Sequence, residues 1–286
     1  MHQIDGKTRV LGIIGHPVGH SLSPVMQNAA LAACRLNYVY VAFNVHPDNL
    51  EESILGLRSL GVAGFNVTIP HKSSIIPYLD GLDVSAQSAC AVNTVKNVDG
   101  RLIGFNTDGD GLVRSLAEDL DFLPGDGDIV VIGAGGAARG AVASLCRAGA
   151  SRVIIFNRTP ARALELVESF SLMSCTTEIL IAADSSELKA YMKNASLLIN
   201  TTSVGMNQDV LPFVDLADLS NNGRIYDMVY APSVTPLLHQ ASKIGLRAAN
   251  GLGMLAGQGE LAFQIWTGIL PPSGLMKSCL LNICDS

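Results

Sequence analysis

Basic residues are scarce in this chain, and their scarcity excludes a class of function. The 286 residues include 19 Lys and Arg against 25 Asp and Glu, which gives a net charge of −6 at pH 7. A protein that binds nucleic acid or an anionic membrane surface through charge needs a positive surface. We therefore expect neither a nucleic-acid nor a membrane partner, and any phosphate site must be locally basic.

Several sequence patterns with a known chemistry are also missing. The six cysteines include no C-x-x-C pair; they are Cys34, Cys90, Cys146, Cys175, Cys279 and Cys284. Their apolar neighbours predict reduced core residues of a cytoplasmic protein, with neither a disulfide framework nor a zinc site. The histidines have no metal-ligand spacing, and a serine-hydrolase G-x-S-x-G is absent. No apolar run reaches the ~18 residues that a membrane span needs, and the polar N-terminus does not open a signal peptide.

Apolar residues make up 48% of the chain, and they fall into strand and helix patterns that alternate. The alternation predicts an α/β protein, and the length favours two domains. We predict an N-terminal α/β domain, residues 1–108 with 252–286, that binds the substrate and carries the catalysis. Residues 109–251 should form a Rossmann-type domain with a doubly wound parallel sheet, and the ligand cleft should lie between the two. The predicted strands of that sheet follow 129–132 at 152–156, 178–182, 197–200, 224–228 and 247–250.

Three local predictions concern the first domain. Residues 47–60 should form a helix and residues 64–69 a strand. Asp99-Gly100 between two apolar runs is typical of a β-hairpin turn.

A glycine-rich turn after an apolar strand is the most informative single stretch. Ile129–Ile132 runs into Gly133-Ala134-Gly135-Gly136, and the residues from Ala137 onward are small with helical spacing. A glycine turn at a helix N-terminus exposes backbone N–H groups and the positive end of the helix dipole, and both suit a pyrophosphate. A tight turn without a ligand uses the same residues, but the complete strand–turn–helix context favours a dinucleotide site.

The end of the next strand predicts which dinucleotide binds. Asn157-Arg158-Thr159 and Arg162 follow this strand, and no carboxylate occurs between Ile155 and Leu164. An acidic residue here would pair with a free 2′-hydroxyl, whereas an arginine accommodates a 2′-phosphate. The alternative is a charged helix start capped by Thr159, although arginine is an unusual choice near the positive end of a helix. We favour NADP as the cofactor.

Polar side chains also cluster after predicted strands of the first domain. Asn66, Thr68 and Lys72 lie at or just beyond the end of a strand, where open α/β sheets bind ligands. Ser21 and Ser23 can hold a small anionic or polyhydroxylated ligand, although Ser23 followed by a proline also predicts a helix N-cap. Two further alternatives stay open. Asp108 can be a helix N-cap, and Lys72 can be an ordinary surface charge, as lone lysines usually are.

Taken together, these segments resemble the motif series of the shikimate dehydrogenase family. The resemblance rests on motifs that occur in the family's order over nearly the whole chain: Gly15-His-Pro-Val-Gly-His-Ser-Leu-Ser-Pro24, Asn66-Val-Thr-Ile-Pro-His-Lys72, Ala91-Val-Asn-Thr94, Gly104-Phe-Asn-Thr-Asp-Gly109, Gly133-Ala-Gly-Gly-Ala-Ala138, Asn157-Arg-Thr159, Asn200-Thr-Thr-Ser-Val-Gly-Met206, Asp227-Met-Val-Tyr230 and Gly251-Leu-Gly-Met-Leu255 to Gln258. One departure is His71, which stands where many members carry an aromatic residue. We do not expect it to affect the chemistry.

The resemblance implies the reversible reduction of 3-dehydroshikimate to shikimate by NADPH, in aromatic amino-acid biosynthesis. Lys72 and Asp108 would form the catalytic pair. The implied substrate-binding residues are Ser21, Ser23, Asn66, Thr68, Lys72, Asn93, Thr107, Asp108, Tyr230 and Gln258. The implied cofactor-binding residues are Gly133, Ala134, Gly135, Gly136, Ala137, Asn157, Arg158, Thr159, Arg162, Thr201, Met228, Gly251 and Met254. No metal is expected, and the protein would be a monomer or a homodimer.

Two other functions remain open at this point. A quinate or dual-specificity dehydrogenase of the same superfamily is the enzymatic alternative, although having both Ser21 and Ser23 favours shikimate. A nucleotide-responsive binding protein without catalysis is the alternative from a different class. The presence of both Lys72 and Asp108 counts against it, because a binder without catalysis has no need for that pair.

Overall fold

The structure is a computed structural model that describes residues 4–170 and 176–284. The protein has an α/β fold, as predicted. The chain forms two compact units. One consists of Met1–Asp108 and Ala256–Ser286, and the other of Gly109–Leu255. Each unit has its own six-stranded sheet. Each therefore has its own sheet edge at which a ligand can bind.

Strands and helices alternate along most of the chain. The strands are β1 (Arg9–Gly15), β2 (Tyr38–Asn44), β3 (Gly64–Val67), β4 (Gly81–Leu82), β5 (Thr94–Val98), β6 (Arg101–Phe105), β7 (Asp128–Ile132), β8 (Arg152–Phe156), β9 (Glu178–Ile181), β10 (Ala195–Asn200), β11 (Arg224–Asp227) and β12 (Arg247–Asn250). The helices are α1 (Ser23–Ala33), α2 (Leu50–Ser59), α3 (Val84–Ala89), α4 (Asp108–Leu120), α5 (Gly136–Arg147), α6 (Pro160–Phe170), α7 (Ser185–Met192), α8 (Pro236–Lys243), α9 (Leu252–Thr267) and α10 (Leu275–Cys284).

The sheet of the first unit is mixed, in the order β2-β1-β3-β5-β6-β4. Strands β1, β2 and β3 are parallel, β5 is antiparallel to β3, and β6 is antiparallel to β5. The carboxyl ends of β1, β3 and β6 therefore lie at the same edge as the amino end of β5. The β5–β6 connection is the predicted hairpin, in which Asp99 and Gly100 both have positive φ, as a two-residue turn requires.

The C-terminal helices belong partly to this first unit. Helix α10 packs on α1, and the side-chain amide of Gln27 on α1 donates to the carbonyl of Gly259 on α9 at 2.9 Å. A Cβ on Gly259 would lie 2.6 Å from the Met26 methyl, so a larger residue there would have to displace the Met26 side chain. The end of the chain thus covers the helix that follows β1.

The second unit contains the predicted doubly wound sheet, in the order β12-β11-β10-β7-β8-β9 with every neighbouring pair parallel. Its central strand explains the run of four β-branched residues. Ile129 and Val131 belong to the core on one face of the sheet, and Val130 and Ile132 to the core on the other. A strand covered on both faces needs no polar alternation, because successive side chains enter two different cores.

The structure corrects several local predictions. The residue at the N-cap of α1 is Leu22, and Ser23 is already helical, so the N-cap prediction for Ser23 is wrong. Strand β3 ends at Val67, which leaves Thr68 beyond it. The helix predicted over 47–60 begins instead as a 3₁₀ turn, Pro47–Asn49, that leads into α2.

The cysteine prediction holds only in part. Cys146 is buried in the core as expected. Cys90 is exposed instead, and it ends α3 in the left-handed conformation with φ +50°. Cys175 and the side chain of Cys284 lie outside the described residues. In the part of the chain that the structure describes, no helix is long and apolar enough to cross a membrane.

Candidate active site

A lysine and an aspartate from two different connections meet at the ligand edge of the first sheet. Lys72 lies in the turns after β3, and Asp108 follows β6. The Lys72 Nζ donates to Asp108 Oδ2 at 2.6 Å, and their side chains are 33% and 22% exposed. The side-chain amide of Asn93 donates to Asp108 Oδ1 at 2.8 Å. Both carboxylate oxygens of Asp108 thus have partners in the site. The Asp108 backbone N–H donates to the side-chain oxygen of Asn106 at 3.1 Å.

The turn that carries Lys72 is anchored on both sides. The buried ring of His71 donates from Nε2 to the Val45 carbonyl at 2.8 Å, and the His71 N–H donates to the Thr68 carbonyl at 2.9 Å. The Lys72 carbonyl accepts from the Val92 N–H at 2.7 Å. The backbone of Lys72 is therefore tied to the chain just before β5, and the ammonium has a defined origin.

A group of buried amides and hydroxyls surrounds the carboxylate. Asn93 is 2% exposed, and its amide nitrogen also donates to Thr107 Oγ1 at 2.9 Å, while its amide oxygen accepts from the Thr107 N–H at 2.9 Å. The Thr107 hydroxyl donates to the carbonyl of Gln258 at 3.1 Å. Asn93, Thr107 and Asp108 thus form one hydrogen-bonded cluster, and Gln258 contacts that cluster through its backbone.

The remaining predicted substrate residues of the first unit lie near the same edge. Ser21 and Ser23 follow β1, and the Ser23 N–H donates to Ser21 Oγ at 3.3 Å. Thr68 follows the neighbouring strand β3, and its N–H donates to the Ile14 carbonyl of β1 at 2.9 Å. Asn66 is on β3 and is 4% exposed. These side chains offer hydroxyl and amide groups, which suit a ligand with several hydroxyls and a carboxylate.

The second unit has an open glycine turn at the start of α5. Gly133 has φ +112°, and a Cβ there would lie 2.5 Å from Thr201 Oγ1, so this position requires glycine. The Thr201 hydroxyl donates to the Ile132 carbonyl at 2.7 Å. A Cβ built on Gly135 or Gly136 would meet nothing within 4 Å. The first N–H groups of a helix have no partner within it, so this exposed turn fits a pyrophosphate.

Two arginines lie beyond the next strand with exposed side chains. The side chains of Arg158 and Arg162 form neither a hydrogen bond nor an ion pair with the described residues. The side-chain amide of Asn157 donates to the Thr159 carbonyl at 2.8 Å and closes the turn that carries Arg158. Together with the glycine turn, these residues fit a dinucleotide with a 2′-phosphate.

The other predicted cofactor residues lie at the ends of β11 and β12. The Met228 N–H donates to the Asn200 carbonyl at 3.0 Å. A Cβ on Gly251 would collide with the carbonyl of Met228, so glycine permits the two strand ends to approach. The N–H of Met254 donates to the buried hydroxyl of Tyr226, and burial raises the pKa of that hydroxyl well above its usual value. Tyr230 is half-buried and follows β11 by three residues.

Sequence reasoning missed a buried carboxylate that organises this region. Asp227 accepts from Asn200 Nδ2 at 2.9 Å, the Val229 N–H at 3.1 Å and Thr235 Oγ1 at 2.6 Å. Burial raises the pKa of Asp227, and these three donors oppose that shift. A carboxylate at the end of an apolar strand is costly to bury without donors, and that is the signal in the sequence that could have revealed it.

No group of three or more potential metal ligands occurs within residues 4–170 and 176–284. The groups that the candidate site offers are the Lys72–Asp108 pair with the neutral donors beside it, and the glycine turn with the two arginines.

Comparisons with known families cover most of the chain. Residues 13–95 match the shikimate dehydrogenase substrate binding domain. Residues 119–221 match the family described as shikimate / quinate 5-dehydrogenase. Residues 251–278 match the shikimate 5′-dehydrogenase C-terminal domain.

Individual relatives align over nearly their full length. A shikimate dehydrogenase (NADP(+)) of Geobacter metallireducens is 54% identical over 279 residues, which are 97% of this chain and 98% of that protein. The structure of a Listeria monocytogenes shikimate 5-dehydrogenase in complex with shikimate and NAD has a TM-score of 0.92 at 35% identity, over 98% of this chain and 99% of that one. A Thermus thermophilus shikimate 5-dehydrogenase in complex with NADP(H) and shikimate has a TM-score of 0.83 at 36% identity, over 96% and 99%.

Proposed function

This chain belongs to the shikimate dehydrogenase family, and from that premise we propose how its residues carry out the family's reaction. It is an NADP-dependent oxidoreductase that acts on shikimate. The reaction is the reversible reduction of 3-dehydroshikimate to shikimate, a step of aromatic amino-acid biosynthesis. The observation that carries the proposal is the 2.6 Å contact between Lys72 and Asp108, next to neutral donors at the ligand edge of a sheet.

Lys72 donates the proton in the reduction and accepts it in the oxidation. NADP, when bound by the second unit, would supply the hydride for reduction of the substrate carbonyl and accept it in the reverse reaction. During reduction, negative charge develops on the substrate oxygen, and the Lys72 ammonium stabilises it and donates a proton from Nζ. During oxidation, the hydroxyl proton returns to Nζ. A positioned acid–base group typically contributes 10²- to 10⁴-fold to such a step.

Asp108 orients the ammonium for that transfer. Its Oδ2 accepts from Nζ, and its Oδ1 is held by the Asn93 amide, so the carboxylate is fixed at both oxygens. A fixed carboxylate restricts the directions in which Nζ can point, and holding a proton donor in the reactive geometry lowers the barrier. Because the pair is only partly exposed, its attraction is less screened than in a surface ion pair.

The substrate contacts are assigned to hydroxyl and amide side chains and to the catalytic pair. We assign Ser21 and Ser23 to the substrate carboxylate. The ring hydroxyls are assigned to Asn66, Thr68, Asn93 and Thr107, together with Lys72 and Asp108, and Gln258 is assigned a further contact. Tyr230 lies in the second unit and stays a prediction of the resemblance.

NADP would be held by the second unit. Gly133, Ala134, Gly135, Gly136 and Ala137 would receive the pyrophosphate. Asn157, Arg158, Thr159 and Arg162 would surround the adenosine ribose and its 2′-phosphate, and Thr201, Met228, Gly251 and Met254 would contact the nicotinamide half. The first unit is thus the substrate domain and the second the NADP domain of a cytoplasmic enzyme that works as a monomer or a homodimer.

A steady-state assay tests this function directly. Oxidation of shikimate and of quinate is followed at 340 nm, each with NADP and with NAD. We expect the highest kcat/KM for shikimate with NADP. Equal values for shikimate and quinate would make the enzyme a dual-specificity dehydrogenase. No turnover with any of the four combinations, by a protein that binds NADPH, would indicate a binding protein without catalysis.

A further inference from the structure

A buried tyrosine adjoins two of the predicted substrate residues. Tyr40 is on β2 and is 1% exposed. Its hydroxyl donates to Asn66 Oδ1 at 2.7 Å, and the side chain of Ser23 lies beside it. Asn66 is on β3 and Ser23 follows β1, so one side chain adjoins residues from two parts of the site.

Asn66 determines the direction of its hydrogen bond with Tyr40. Its amide nitrogen donates to the Asn93 carbonyl at 3.0 Å and to Thr94 Oγ1 at 3.1 Å, so its amide oxygen must face Tyr40. An amide oxygen can only accept. The Tyr40 hydroxyl therefore donates its one proton to Asn66.

From Asn66 the hydrogen bonds continue without a gap to the catalytic pair. The Thr94 hydroxyl is completely buried, accepts from Asn66 and donates to Asn93 Oδ1 at 2.9 Å. Asn93 donates to Asp108 Oδ1 at 2.8 Å, and Asp108 Oδ2 accepts from Lys72 at 2.6 Å. Five hydrogen bonds thus join Tyr40 to Lys72 through Asn66, Thr94, Asn93 and Asp108.

Tyr40 is held firmly enough to serve as a reference point. The side-chain amide of Asn28 on α1 pairs with the backbone of Tyr40 in both directions, at 2.8 Å to its carbonyl and 2.9 Å from its N–H. The ring lies 6.0 Å from that of Trp266, whose indole N–H donates to the Val95 carbonyl at 2.9 Å. Because the backbone and the ring are both fixed, the hydroxyl has little freedom to follow its partners.

We propose that Tyr40 and Thr94 are positioning residues for the reaction, and that their hydroxyls orient the Asn66 and Asn93 amides so that Asp108 holds Lys72 in place. This inference rests on the proposed catalytic role of Lys72 and Asp108. Without the Tyr40 hydroxyl, the oxygen of the Asn66 amide loses its partner, and the amide is free to rotate. A rotated Asn66 presents its oxygen to Thr94. Thr94 then turns its proton from Asn93 to Asn66, and Asn93 loses one of the bonds that orient it towards Asp108.

The test removes one hydroxyl at each of two successive links. Tyr40→Phe and Thr94→Val keep the shape of the side chain, and Tyr38→Phe on the same strand is the matched control, because its hydroxyl accepts only from Arg9 among the described partners. For both link variants we expect kcat for shikimate to fall roughly ten- to 100-fold, as a small misplacement of catalytic groups does. The KM for NADP should be unchanged, and Tyr38→Phe should behave as wild type.

A solvent isotope effect separates positioning from a loss of folded protein. If proton transfer is slowed, the ratio of kcat in H2O to kcat in D2O should rise in both link variants. A smaller folded fraction lowers kcat without changing that ratio. The double variant Tyr40→Phe with Asn66→Ala should be no slower than the slower single variant, because residues that act through one another are not additive.

Three results would overturn the proposal. These are a Thr94→Val enzyme with wild-type kcat, a lowered kcat with an unchanged isotope effect, and fully additive effects of the Tyr40 and Asn66 substitutions. Thr94→Val keeps the inference testable even if Tyr40→Phe does not fold. If Lys72→Ala retains activity, the assigned catalytic pair has failed. If Lys72→Ala is inactive while both link variants are normal, only the positioning role has failed.

Discussion

Replacing Arg158 should change which cofactor the enzyme prefers while leaving its fold intact. Arg158 is exposed and has no partner among the described residues, so Arg158→Ala removes no hydrogen bond within the described protein. Surface substitutions of this kind change stability by no more than about 0.5 kcal/mol. Any loss of cofactor affinity in the variant must therefore come from lost contacts with the cofactor and not from unfolding.

The size of the effect follows from the chemistry of the 2′-phosphate. This group carries nearly two negative charges at pH 7, and a guanidinium can meet its oxygens through two parallel hydrogen bonds. Losing a charge-assisted contact costs about 1.5–3 kcal/mol, or roughly ten- to 150-fold in NADP affinity. Arg162 lies one helical turn further on and keeps part of the attraction. NAD lacks the phosphate, so its binding should hardly change.

The assay compares kcat/KM for NADP and NAD in wild type, Arg158→Ala and Arg158→Asp. The aspartate should go further than the alanine, because it repels the phosphate and offers the ribose hydroxyls an acceptor. Lys243→Ala is the control, since it removes one exposed positive charge at the far end of α8 in the same unit. A wild type that already prefers NAD, or an Arg158→Ala enzyme that loses both cofactors equally, would refute the role assigned to Arg158.

Three further predictions concern the substrate, the glycine turn and the pH dependence of stability. Ser21→Ala and Ser23→Ala should each raise KM for shikimate by the equivalent of about 1–3 kcal/mol, because a carboxylate oxygen is left unpaired; a Ser23→Ala enzyme with normal KM and lowered Tm would show a structural role instead. Gly133→Ala should weaken NADPH binding, measured by fluorescence titration, and lower Tm, because φ is +112° and the new Cβ meets Thr201; unchanged binding would exclude the turn from the cofactor site. The Leu102 N–H and Arg58 lower the pKa of Asp80, so folding favours the ionised carboxylate. The resulting gain in folding stability is complete above the pKa of the unfolded state, about 4, and is lost as the pH falls through the lowered pKa of the folded state. The Tm of Asp80→Asn should therefore lie below wild type at pH 7 and converge with it in acid, and a Tm gap that is independent of pH would contradict this.

Features that depend on local backbone chemistry could be predicted from the sequence. The glycine turn at Gly133 and the Asp99-Gly100 hairpin follow from residues that tolerate positive φ, and the structure contains both. The central strand of the second unit could be predicted because four β-branched residues in succession are typical of a strand buried on both faces. These signals need no knowledge of distant contacts.

Features that depend on distant partners could not be predicted. Ser23 before a proline has every local mark of an N-cap, but it lies within the helix and its side chain lies beside Tyr40, which is 17 residues away in sequence. Tyr40 is one aromatic residue in an apolar strand, and nothing local distinguishes it from a core residue. The three donors to Asp227 lie on β10, two residues after β11 and at the N-cap of α8, so its surroundings emerge only when the sheet has formed.

The candidate site lies between these extremes. The sequence places Lys72 and Asp108 after strands of the first domain, and parallel strands bring their carboxyl ends to one edge. Their actual contact depends on the antiparallel pairing of β3 with β5 and of β5 with β6, which reverses the chain twice between the two residues. The hairpin was predicted, but its pairing with β3 has no local signal.

Removal of the Lys72 ammonium tests the central claim most directly. Hydride transfer is measured as kcat for shikimate oxidation with NADP in wild type, Lys72→Ala and Asp108→Asn. Lys96→Ala and Asp110→Asn are the matched controls, because they remove the same charges outside the candidate site. We expect kcat to fall roughly 10²- to 10⁴-fold in Lys72→Ala and in Asp108→Asn, with NADPH affinity unchanged and the controls active. A near wild-type kcat in either variant would contradict the assignment of Lys72 and Asp108 as the catalytic pair.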